Sequence, residues 1–118
     1  MASILVVDDS LLIRRALIKM LNAGNHDVIQ SYGGSDALEK ISKNKIDCVL
    51  LDLMMPGMDG FEVLQNLKKK RPHIPVIIVS SQNKEAIRNK CFELGAVDFL
   101  NKPPQENDLL HAIHKVIR

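Results

Sequence analysis

The chain has 118 residues, of which 46% are hydrophobic, 25% charged and only 3% aromatic, and its formal net charge is +2 at pH 7. That length suits a single domain with an aliphatic core. So small a charge gives no electrostatic case for nucleic acid or an anionic membrane, and the apolar runs are too short to span a bilayer. No basic segment, apolar stretch and cleavage site open the chain, so a cytoplasmic protein is expected.

Ser3 to Val7 (SILVV) reads as a short buried strand, followed by Asp8-Asp9-Ser10. A helix then places Ile13, Ala16, Leu17, Met20 and Leu21 on one face, with Asp9 or Ser10 as its cap and Gly24 at its stop. Asp27 to Ser31 is a weaker strand. Gly33-Gly34 turns the chain, and Asp36 with Glu39 forms a variant capping box for a helix that buries Ala37, Leu38 and Ile41. Ile46 to Leu51 is a third strand. Asp59-Gly60 opens a third helix carrying Phe61, Leu64 and Leu67, which Pro72 ends.

Val76 to Val79 is a β-branched fourth strand. Lys84 to Leu94 is a poorer helix with Ile87, Cys91 and Leu94 inward, stopped at Gly95. Val97 to Leu100 is a fifth strand, Pro103-Pro104 interrupts the chain, and a last helix from Glu106 to Ile117 buries Leu109, Leu110, Ile113 and Ile117. Lys68 to Arg71 closes the third helix, where positive charge suits the helix dipole. Cys48 and Cys91 form no CxxC and have no histidine at ligand spacing, so both are expected to be buried free thiols. His111 and His114 flank the apolar face of the last helix and are expected to point outward.

Strands alternating with helices imply an α/β fold, a doubly wound parallel sheet of five strands with helices on both faces. In such a sheet the strand C-termini share one edge, where ligands bind. The residues there are Asp8 and Asp9, then Asp52, then Ser80 and Ser81, then Lys102. Three carboxylates gathered on one rim repel one another, and a hard divalent cation removes the conflict. Mg²⁺ prefers oxygen ligands and commonly shares its shell with phosphate. An ionised Asp52 is also a nucleophile, and attack on a phosphoryl group would give an aspartyl phosphate. Mg²⁺, Lys102 and Ser80 are suited to stabilising the transferring oxygens.

The segments ILVVDDS at 4–10, DLMMPGMDG at 52–60, VSS at 79–81 and NKP at 101–103 together resemble the receiver domains of two-component response regulators. In length the chain is similar to the stand-alone, chemotaxis-type members. The resemblance implies a single receiver domain over 1–118, a flavodoxin-like fold and the strand order 2-1-3-4-5. It implies that Asp52 takes a phosphoryl group from a sensor histidine kinase or phosphotransfer protein. Asp8 and Asp9 would hold Mg²⁺ with Asp52 and the backbone carbonyl of Met54. Lys102 would pair with the phosphate. Ser80 would hydrogen-bond it and shift, while Phe99 would rotate inward as the switch aromatic. A cis Lys102-Pro103 bond is implied as well. Met54 and Gln82 stand where the family tunes phosphate lifetime, and Pro104 replaces a common bulky aromatic.

The implied protein is not a conventional enzyme, although it catalyses its own phosphorylation and dephosphorylation. Its output would be a downstream protein bound through the face of the fourth helix, fifth strand and fifth helix, with no direct nucleic acid and no membrane insertion. A monomer or a phosphorylation-dependent dimer is expected. No output domain follows Arg118, so a protein partner is expected unless the receiver was cut from a longer regulator. A small aspartate-nucleophile phosphohydrolase is an alternative, but that chemistry needs a second acid where Met54 stands. A phosphate-independent adaptor would not need the acidic set, and a dinucleotide-binding enzyme would show a glycine-rich first turn.

Overall fold

The computed structural model describes residues 2–117. Its strands are β1 (Ser3–Val7), β2 (Asp27–Ser31), β3 (Cys48–Leu51), β4 (Val76–Ser80) and β5 (Asp98–Asn101). The helices are α1 (Leu11–Ala23), α2 (Gly34–Lys43), α3 (Gly60–Lys70), α4 (Glu85–Glu93) and α5 (Glu106–Val116). The strands form one parallel sheet in the order β2-β1-β3-β4-β5, as expected.

Successive strand side chains point to opposite faces, so the central strands feed two cores. Leu5, Val7, Val49, Leu51, Val76 and Ile78 pack towards α2, α3 and α4. Ile4, Val6, Cys48, Leu50, Ile77 and Val79 pack towards α1 and α5. Burial on both faces explains why these strands read as unbroken apolar runs. Each fully buried leucine or isoleucine contributes about 2 kcal/mol by transfer from water. Cys48 and Cys91 are both free and buried, and burial pushes the Cys48 thiol up to about 12.

Ser10 caps α1 by accepting from the Ile13 N–H, and Asp59 caps α3 by accepting from the Glu62 N–H. The capping box expected at Asp36 is absent. The α2 helix starts three residues earlier, with Gly33 as its cap and Asp36 inside the first turn, 3.1 Å from Lys40. A local turn explains the early start: the Ser31 hydroxyl donates to the Gly33 carbonyl at 2.9 Å. Gly34 also lies so close to Met58 that a Cβ there would meet the Met58 carbonyl at 2.7 Å.

The third strand is shorter than the run from Ile46 suggests. Asp47 lies just before the strand, where its N–H donates to the Ser3 carbonyl and its carboxylate accepts from the Ser3 N–H, both at 2.8 Å, while Ile46 stays buried in the core. On the sheet edge, β5 is shifted by one residue and Val97 is exposed. The buried face of α5 is Leu109, Ala112 and Ile113, with Leu110 and Ile117 only half-buried. His111 and His114 are exposed. Among the described residues, no helix is long and apolar enough to cross a membrane.

Candidate functional site

Register builds the site. Val7 pairs with Leu51, so the residues that follow, Asp8 and Asp52, emerge side by side from adjacent strands. Ser80 pairs with Asn101, so Lys102 emerges beside the end of β4, and its N–H donates to the Ser80 carbonyl at 3.0 Å. The Lys102-Pro103 bond is cis.

Asp8, Asp9 and Asp52 each offer a carboxylate oxygen within 4.8 Å of the others. Asp8 is 1% exposed and Asp52 4%, whereas Asp9 is open to solvent. Lys102 Nζ lies 2.7 Å from Asp8 Oδ2 and 3.2 Å from Asp52 Oδ1. One ammonium thus serves two buried carboxylates. Asp8 is fixed on every side: its N–H donates to the Ser31 carbonyl at 3.1 Å and its Oδ1 accepts from the Ser10 N–H at 2.8 Å. Its own carbonyl accepts from Arg14 Nη1 at 2.8 Å.

Burial, and then the neighbouring Asp8 charge, push the Asp52 carboxyl above its ordinary range, although Lys102 and the Met54 backbone amide oppose the rise. Burial acts to lower the Lys102 ammonium, but hydrogen bonding to Asp8 and the charges of both carboxylates outweigh it and hold the group above its ordinary value. That both groups are raised describes a site with more negative charge than one lysine settles. The donors are all hard oxygens, closely spaced, and one of them is open to water. Such a set fits a hard divalent cation that retains water ligands.

Ser80 is buried and its Oγ accepts from the Gln82 N–H at 3.0 Å, which leaves the hydroxyl proton for another acceptor. Met54 lies on the exposed loop beyond Asp52. Phe99 is already inside: it is 4% exposed, packed in the core, with the Arg88 guanidinium 4.9 Å from its ring centre. The inward rotation expected of this ring therefore has no starting point in this conformation. A groove of about 470 Å³, lined by Asp9, Tyr32, Pro56 and Met58 among others, opens beside the acidic cluster.

Two contributors escape a reading of the sequence. Gly60 reads only as a residue that opens the third helix, yet a Cβ there would lie 2.3 Å from the Asp52 carbonyl oxygen, so it is the close approach of α3 to Asp52 that demands glycine. Arg14 reads as a surface residue of an amphipathic helix, and nothing local marks its contact with Asp8.

Residues 4–114 match the family described as Response regulator receiver domain. The chain belongs to that family. Among receiver-domain relatives, PilH of Pseudomonas aeruginosa is 38% identical over 119 residues, covering 99% of this chain and 98% of PilH. The transcriptional regulatory protein ResD of Bacillus subtilis is 36% identical over 98% of this chain, which spans only 48% of ResD. The chain thus spans nearly all of one such relative and about half of another. Among solved structures, the chemotaxis protein CheY4 of Vibrio cholerae superposes with a TM-score of 0.93 at 28% identity, covering 99% of both chains. The CheX-CheY-BeF3-Mg complex of Borrelia burgdorferi gives 0.93 at 30% identity, covering 98% of this chain and 88% of that one. The chain is a receiver domain of two-component signalling.

Proposed function

We propose that Asp52 is the phosphoacceptor of this receiver domain, taking its phosphoryl group from a phosphohistidine on a sensor histidine kinase or phosphotransfer protein. The observation that carries the reading is the buried Asp52 carboxylate held between Asp8 and Lys102, with Asp9 completing an all-oxygen set. In the transfer an Asp52 oxygen bonds to phosphorus, the phosphorus–nitrogen bond breaks, and the imidazole leaves.

Asp8, Asp9, Asp52 and the Met54 carbonyl would hold Mg²⁺, which when bound neutralises charge on the phosphoryl oxygens. Lys102 exchanges part of its contact with Asp52 for a phosphoryl oxygen, because the Asp52 carboxylate loses its negative charge to the new acyl phosphate bond. The Ser80 hydroxyl donates its proton to another phosphoryl oxygen while still accepting from the Gln82 N–H. That pull at the end of β4 acts on the loop leading into α4. Since Phe99 is already buried, phosphorylation stabilises the inward ring rather than creating it, and biases a population already present. The output is a protein partner docked on the face of α4, β5 and α5. The reading treats residues 1–118 as one receiver domain and assigns it no direct contact with nucleic acid.

Labelled acetyl phosphate and Mg²⁺ test this reading. The label is expected on Asp52 alone, absent from Asp52→Asn, and labile as an acyl phosphate. Beryllofluoride with Mg²⁺ is expected to shift the amide resonances of Ser80, Gln82 and the start of α4. Label on another residue, or unmoved resonances, would remove the assignment.

A further inference from the structure

We propose that Arg14 is a positioning residue for the metal site, acting through the peptide that joins Asp8 to Asp9. The inference rests on the reading above, in which those two acids hold the cation.

Asp8 is held by four separate contacts, but Asp9 is exposed and makes no side-chain hydrogen bond or ion pair among the described residues. The Asp9 carboxylate is therefore placed by its backbone. Its Cα is reached through the Asp8–Asp9 peptide, whose carbonyl oxygen accepts from Arg14 Nη1 at 2.8 Å. That guanidinium is itself steered from the other side: Arg14 Nε donates to Gln30 Oε1 on β2 at 3.1 Å. A charged donor on a backbone carbonyl is a strong hydrogen bond, and the planar fork of arginine lets one side chain address both partners without bending. The arrangement is a brace from β2, through the first turn of α1, to the link between two candidate ligands. Ordered peptides fix ligand direction, and a metal site loses affinity when the groups orienting its ligands are removed.

Electrostatics alone points the other way. Arg14 brings a positive charge close to a site for a cation, so removing it would tighten metal binding if charge were its only effect. The sign of the change therefore separates positioning from charge.

The test titrates Mg²⁺ into wild type, Arg14→Met and Gln30→Met by calorimetry, with urea unfolding of each in the absence of metal. Arg14→Met is expected to weaken Mg²⁺ binding about tenfold. Gln30→Met, which keeps the arginine and its charge, is expected to weaken it less but in the same direction. The Asp9 amide nitrogen, next to the braced carbonyl, should shift in both variants. Unchanged or tighter binding in Arg14→Met, or a loss of stability with unaltered affinity, overturns the proposal while the metal site stands. Should wild type itself fail to bind Mg²⁺ through Asp8, Asp9 and Asp52, the underlying reading fails and takes this inference with it.

Discussion

Lys102 approaches Asp8 more closely than it approaches Asp52: Nζ is 2.7 Å from Asp8 Oδ2 and 3.2 Å from Asp52 Oδ1. The candidate phosphoacceptor thus receives the weaker share of the ammonium. Asp8 is the anchored carboxylate, and Asp52 is the one held poised above its ordinary range by burial and by the Asp8 charge.

Removing the ammonium leaves two buried carboxylates without a cation. Lys102→Met is expected to lower the stability of the metal-free protein by about 3 kcal/mol, as when one partner of a buried pair is deleted. Mg²⁺ should then restore more stability to the variant than it adds to wild type, because nothing competes with it for the acids. Urea unfolding in EDTA and in Mg²⁺ measures both effects. Equal increments in the two proteins would show that the lysine and the metal answer different charges.

Asp52 gives the metal-free protein a signed dependence on pH. Its folded-state value is raised, so its contribution to stability is fully present below the ordinary carboxylate value of 3.8 and is lost as pH rises through the folded value. Lys102, also raised, acts at the other end: its contribution is complete below 10.5 and is lost above that as pH passes the folded value. Asp52→Asn cannot ionise. In EDTA it is expected to be more stable than wild type at pH 7.5, with the gap closing as the solution is acidified towards about pH 4. Denaturant midpoints across that range provide the check, and a gap that widens on acidification contradicts the charge argument.

Two glycines should respond to the same substitution to very different degrees. A methyl group at Gly60 would sit 2.3 Å from the Asp52 carbonyl oxygen and 2.7 Å from Leu53 Cα, both backbone atoms that cannot swing aside. Gly60→Ala is expected to cost about 2 kcal/mol through overpacking. It should also weaken Mg²⁺ binding, because relief requires moving the segment that carries Asp52. Gly33→Ala meets no heavy atom within 4 Å and keeps an extended backbone, with φ of −174°. Its cost should stay under about 1 kcal/mol, the loss of a mildly better helix cap. Thermal unfolding and metal titration of the pair separate the two cases.

Much of the site is legible in the sequence. The run from Cys48 to Leu51 ends at Asp52 because the strand ends there, and the same rule located Asp8 and Lys102 at their strand ends. The cap at Asp59 followed from local chemistry within four residues, and at the first helix the sequence offered Asp9 or Ser10, of which Ser10 is the cap. The Asp36 capping box failed because a competing local bond, from the Ser31 hydroxyl to the Gly33 carbonyl, starts α2 earlier. The position of Phe99 was not legible either, since which side of the sheet edge a ring occupies depends on what packs beside Arg88 and α4.

Sequence alone determined the alternation of strands and helices, the parallel sheet and the set of acids at its edge, because hydrophobic period and strand-end chemistry are properties of neighbouring residues. Tertiary structure decided how Lys102 divides itself between Asp8 and Asp52, why Gly60 admits no side chain, and that Arg14 reaches the Asp8 carbonyl. The lysine contacts join segments far apart in the chain, and the other two cross a turn between one element and the next. Their distances follow from strand register and from the angle at which each helix packs, and no run of neighbouring residues encodes either.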